Sequence, residues 1–211
     1  MTEPEPTPAA SSDTTYPLTT KVNINFSVYE DRLVLRANRG EHGPVALLLT
    51  RRMVLVVLQH LVGQLPRLEG LDQTPAQYWQ DVLQMAHQRA MDARQPAANE
   101  KPEADPQAET PAGKHEPATP PELFLATELT LKRDGRELLV AFKGLPMPQA
   151  MTNPSPHVPV VAIGLQAENV HQLVQLLITK AHEARWHLPL DLPWLESPGE
   201  SKGSDSSVTL H

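Results

Sequence analysis

Residues 47–65 read Leu-Leu-Leu-Thr-Arg-Arg-Met-Val-Leu-Val-Val-Leu-Gln-His-Leu-Val-Gly-Gln-Leu. Leu47 to Leu49 have the character of a strand end and Thr50 is placed to cap a helix. The apolar spacing predicts that helix from about Arg51 to Leu65, where Pro66 forbids more. Between Met53 and Leu65 the polar residues are Gln59, His60 and Gln64. A helix apolar nearly all round needs cover on two sides, a sheet on one and a further element on the other. His60 on such a helix is expected to be an interior, hydrogen-bonded side chain.

Upstream, order is expected from Lys21. Val22, Ile24, Phe26 and Val28 alternate with Asn23, Asn25 and Ser27, the pattern of a half-buried strand. Arg32 to Arg39 reads as a second strand with Leu33, Leu35 and Ala37 inward. Arg32, Arg36 and Asn38 face outward, together with Val34. Gly40 to Pro44 is a turn by composition, and Val45 to Leu49 is the third strand. The unit is β-β-β-α, its short connections favouring antiparallel pairing.

Downstream, Thr74-Pro75-Ala76-Gln77 carries the signals of a helix start, with Thr74 as cap and Gln77 completing a capping box. The helix runs to about Ala93, with Trp79, Val82, Leu83, Ala86 and Ala90 on one stripe, and is a candidate second cover for the first helix. A further half then follows the same order. Leu125, Thr127, Leu129 and Leu131 line one strand, and Arg133-Asp134-Gly135 signals a hairpin. Leu138, Val140 and Phe142 line the return strand, and Val158 to Leu165 forms a third. The last helix spans about Ala167 to Ala184, with Val170, Leu173, Val174, Leu177 and Ala181 inward. Gly43 to Thr50 can be laid against Pro159 to Gln166, and Asp31 to Gly40 against Gly135 to Gly144. This pattern reads as an internal duplication.

The fold class expected is therefore α+β, with duplicated β-β-β-α units and antiparallel sheets packed on amphipathic helices. Its divisions are a disordered segment 1–19, a first half with an extra helix over 20–94, and a Pro/Glu/Ala-rich linker over 95–121. A second half over 122–196 ends in an apolar tail with Trp186, Leu188, Leu190, Leu192, Trp194 and Leu195, and 197–211 is disordered. The topology has a loose likeness to Whirly- and PUR-type single-strand binders, which by itself implies nothing about function.

The chain has 211 residues, a formal charge of −7 and 22 prolines, and it has no cysteine, which excludes disulfides, thiolate metal sites and cysteine nucleophiles. The acidic, Pro-rich start lacks the basic and apolar regions of a secretory signal. Met53 to Leu58 falls far short of the roughly 20 apolar residues of a membrane span. A cytoplasmic protein without membrane contact is expected. No phosphate-binding glycine loop or Gly-x-Ser-x-Gly elbow occurs, so no enzyme activity and no cofactor is expected.

His171, His182, Glu183, His187 and Asp191 are the richest source of metal-ligating groups. His171 and His182 share a helical face but lie about 16 Å apart by helix rise, and no pair has chelating spacing. They are expected to face solvent, with no metal bound. The function expected is non-enzymatic protein–protein interaction or assembly, with a protein partner or a second copy as ligand. Trp79, Trp186, Leu190, Leu192 and Trp194 are its candidate contacts. The alternative is a single-stranded DNA or RNA binder. The segment from Lys21 to Arg67 is basic within an acidic chain, and Asn23, Asn25, Arg32, Arg36, Asn38, Arg51 and Arg52 could follow a phosphate backbone. That face lacks an aromatic platform, Tyr29 being assigned to the turn.

Overall fold

Alternating apolar and polar side chains build strands, and the computed structural model, which describes residues 15–98, 120–190 and 192–195, gathers them into one mixed sheet. The strands are β1 (Leu18–Thr19), β2 (Val22–Ser27), β3 (Arg32–Asn38), β4 (Pro44–Leu49), β5 (Glu122–Asp134), β6 (Glu137–Pro146) and β7 (Val158–Gln166). Their spatial order is β1-β7-β6-β5-β4-β3-β2. Two antiparallel meanders, β2-β3-β4 and β5-β6-β7, meet where β4 pairs with β5 in parallel, Ala46 opposite Leu123 and Leu47 opposite Phe124. β1 also pairs in parallel, placing Leu18 opposite Ala162 and Thr19 opposite Ile163. Only Thr20 and Lys21 separate β1 from β2, at the other end of the order, so the sheet is curled until one short segment touches both edges.

Three helices, α1 (Arg51–Leu68), α2 (Trp79–Ala98) and α3 (Ala167–Glu183), lie on one face. α1 covers β3, β4 and β5, while α3 covers β7 and β2 beside α1. α2 packs chiefly on α3. Ile24, Leu33, Leu35, Leu47, Leu49, Val140, Phe142 and Ile163 meet the helices in a single core, and burial of this apolar area is the main stabilising term. The opposite sheet face carries a smaller cluster of Val34, Ala46 and Leu48, with Leu123 and Leu125 against it. No helix among the described residues is long and apolar enough to cross a membrane.

Several expectations are corrected. The sheet is mixed rather than antiparallel, and residues 15–19, expected to be loose, include β1. Thr50 caps α1 as expected, accepting from the Met53 N–H at 3.2 Å, but the helix continues through Pro66 to Leu68. Within the last turn a proline forfeits one hydrogen bond, and the end is closed by the Glu69 N–H donating to the Leu65 carbonyl at 2.9 Å and the Gly70 N–H to the Arg67 carbonyl at 3.3 Å. α1 buries one stripe, Val54, Val57, Leu58, Leu61, Leu65 and Leu68, with Leu55, Val56 and Val62 half-buried. His60 is exposed, not interior. The neighbour of α1 is α3 more than α2.

α2 begins at Trp79 after a 3-10 turn over Ala76–Tyr78; Thr74 offers its carbonyl to Trp79 Nε1 at 2.8 Å instead of capping. β5 contains a bulge between Ala126 and Glu128, so Phe124 and Ala126 face the helices before it and Leu129 and Leu131 after it. An inserted residue reverses the alternation, which is why Leu125 points to the other face. Leu33 and Leu138 are the inward equivalents, so the match of Asp31 to Gly40 with Gly135 to Gly144 is one residue out of phase. The segments 1–14, 99–119 and 196–211, which take in most of the expected linker and tails, lie outside the described residues.

Candidate functional site

Two places among the described residues stand out as candidate sites. The first is the sheet face turned away from the helices. β2–β3 pairing sets Asn23 opposite Arg36, Asn25 opposite Val34 and Ser27 opposite Arg32, because residues two apart on a strand share a face. Asn25 Nδ2 donates to Asn23 Oδ1 at 2.7 Å. A groove of about 670 Å³ lies here, with Val34, Ala46, Leu48 and Leu123 as an apolar floor and Asn25 and Arg36 as polar walls. Val28 and Tyr29, in the β2–β3 turn, form its rim. Tyr29 is 102% exposed and Val28 76%, so both side chains are open to a partner at the rim.

The second lies in the helical layer. α3 turns His171 inward beside Val170, and α2 turns His87 toward it, Leu83 and Ala90 being the buried residues on either side along that helix. The apolar tail returns over both helices and inserts Trp194. The three rings pack edge to face, with centroids 5.5 Å apart for His87–His171, 5.5 Å for His87–Trp194 and 5.6 Å for His171–Trp194. His171 is fully buried, and neither of its ring nitrogens has a hydrogen-bond partner among the described residues. Its Nε2 lies 3.4 Å from Glu69 Oε1, within ion-pair reach but without hydrogen-bond geometry.

Burial, and the neighbouring His87, push the His171 pKa down to about 4. Burial also lowers His87, against a hydrogen bond with Gln175. Glu69 is raised by burial, with Arg89 opposing. Taking charge out of water is the common cause. At neutral pH the pair is uncharged.

The sequence-derived candidates divide between these places and the interior. Trp186 is buried, edge-on to Phe26, and its Nε1 donates to Asp31 Oδ1 at 2.9 Å. Trp194 is buried in the ring cluster, and Trp79 is half-buried. Leu190 and Leu192, with Leu188 and Leu195, border a pocket of about 230 Å³ against Ile178, Ala181 and His182 of α3. The tail therefore docks on its own chain. Arg51, exposed at the start of α1, donates to the His187 carbonyl at 2.6 Å, and Arg52 is exposed. Asn38 accepts from the Gly40 N–H at 3.0 Å.

His171, expected at the surface, is the most buried polar group, whereas His182, Glu183 and His187 are exposed and Asp191 lies outside the described residues. Among the described residues no three His, Asp or Glu side chains are placed to hold a metal ion. His87, Glu69 and Tyr29 were missed as functional candidates. Helical spacing was the available signal for the histidines: His87 follows Leu83 by four, and His171 precedes Val174 by three. No protein-family model matches the chain, and neither a curated protein nor a solved structure matches it.

Proposed function

We propose that this chain is a non-enzymatic interaction protein that docks a protein partner, or a second copy of itself, on the sheet face opposite the helices. The observation that carries the reading is the fully exposed Tyr29, with Val28 beside it, at the rim of an apolar-floored groove. Aromatic and Arg side chains around an apolar centre are the composition of binding hot spots, and Arg36 supplies the cation. Trp186 sits edge-on to Phe26 with its Nε1 bonded to Asp31, and Trp194 packs against His87 and His171, so both tail tryptophans are engaged within the chain and the proposed surface is the sheet face rather than the tail. The fold beneath it is read as two copies of one β-β-β-α unit. In each, the third strand receives a parallel neighbour at matched alanines, Ala46 with Leu123 and Ala162 with Leu18. Solution mass over a range of concentrations, together with capture experiments, tests the reading. Tyr29→Ser with Val28→Ser should abolish association while leaving the fold intact; unchanged association in that variant rejects this face.

The second reading is single-stranded nucleic acid on the same face, favoured by Arg32, Arg36 and the Asn residues in register with Tyr29 at one end. Stacking on Tyr29 and backbone contacts from the arginines would give salt-sensitive binding. Retention on single-stranded DNA or RNA at low salt, lost in Arg32→Ala with Arg36→Ala, would support it; no retention of the unaltered protein eliminates it.

A further inference from the structure

We propose that the His87–His171–Trp194 cluster is an acid-operated latch: protonation of the histidine pair releases the distal tail from α2 and α3 while Trp186 stays anchored. Trp194 stands on a segment tied to the body at two places of different chemistry. Near its root, Trp186 donates to the Asp31 carboxylate, and the His187 carbonyl accepts from Arg51. Neither contact involves an imidazole. At its far end, Trp194 rests on two neutral rings whose Nδ1 atoms have no hydrogen-bond partner among the described residues.

The groups facing His171 are Glu69 from the end of α1, His87 from α2 and Trp194 from the tail. Gln175 reaches His87 along α3, and Arg89 and Glu168 border the cleft beside Glu69. Each imidazole takes its second proton from solvent. The product is a pair of cations whose ring centres are 5.5 Å apart in apolar surroundings, with Glu69 the one carboxylate among the described residues within ion-pair reach of His171. Acid also protonates Glu69, whose burial already favours the neutral form, so the counter-charge is withdrawn as the cations appear. Repulsion and the need for hydration are relieved by opening the cluster. The side that opens is the tail. α2 and α3 are held by packing elsewhere and by the Gln172 Nε2 bond to the Ala90 carbonyl, 3.0 Å, while the distal tail covers a pocket that it does not fill. Because His87 and His171 interact, the pair titrates in coupled steps.

The full chain labelled with 5-fluorotryptophan gives three fluorine resonances, assigned with Trp79→Phe, Trp186→Phe and Trp194→Phe. Titration from pH 7.5 to 4 should move the Trp194 resonance to its solvent-exposed position, with a several-fold rise in quencher accessibility. The Trp186 and Trp79 resonances and the far-ultraviolet circular dichroism should hold. His171→Leu should abolish the transition. His87→Leu should move it to higher pH, since the neighbouring charge that opposes protonation of His171 is gone. The proposal is overturned if Trp194 stays buried to pH 4, if all three resonances move together, or if His171→Leu leaves the transition where it was.

Discussion

Arg39 at one end of the sheet and His171 in the helical layer are both closed off from solvent, and their surroundings differ in kind. Arg39 donates through Nη2 to Glu122 Oε2 at 2.6 Å and to the His42 carbonyl at 2.8 Å. Its Nε reaches the Gly43 carbonyl and its Nη1 the Val160 carbonyl, both at 3.4 Å, and the guanidinium lies over Phe124. It joins β3, β5 and β7 at a permanently charged point. His171 has comparable burial and no hydrogen-bond partner among the described residues. A cation that cannot lose its proton must be satisfied; an imidazole can be buried bare because it can remain neutral. One polar centre is a fixed joint and the other is conditional on pH.

Removing the joint should cost most. Arg39→Met should lower stability by about 3 kcal/mol, measured by urea unfolding, because it strips charge-assisted bonds and leaves the Val160 and His42 carbonyls without a donor. Arg39→Lys should recover only part of this, since a point charge cannot serve the same spread of acceptors.

Acid should act next. The folded-state pKa of His171, about 4, lies below its ordinary value of 6.5, so between those values the unfolded chain binds more protons. Stability is complete above pH 6.5 and falls as pH drops toward 4, where the slope from this group ends; the loss is about 3 kcal/mol. Urea midpoints across that window should flatten in His171→Leu.

Trp186→Phe should cost about 1–2 kcal/mol through the lost Asp31 bond and a small void. That cost should be the same at pH 5 and pH 7. The smallest effect is expected from His171→Leu at pH 7.5, within about 1 kcal/mol of the parent, because no hydrogen bond is broken. A loss as large as that of Arg39→Met would show that the imidazole is bonded after all, and the contrast would fail.

Much of the strand pattern was legible because alternation reports a half-buried strand directly, as with Leu33, Leu35 and Ala37. The Thr50 cap and the inward stripe of α3 were legible for the same local reason. What escaped depended on partners distant in sequence. The bulge after Ala126 is set by pairing with β6, and the parallel seam between β4 and β5 crosses residues 99–119. Arg39 reads from sequence only as the end of a strand in a basic segment, because its partners Glu122 and Val160 are remote from it along the chain. His171 was assigned to solvent by residue type, although its position between Val170 and Leu173 and three before Val174 places it beside the buried stripe. His60 failed in the opposite direction: the helix is rich enough in Leu and Val to look buried all round, yet α3 and the sheet together leave that flank open.

The seam between β1 and β7 also has a temporal meaning. Of the described strands, the earliest in the chain pairs with the latest, so this pairing cannot form until nearly all of the described residues have been synthesised. Contacts of such long separation slow folding, because loop entropy is lost before the pairing repays it. Until then β1 lacks its partner and the face of β2 that α3 covers stays open on the nascent chain, a window in which self-association or a chaperone competes with completion.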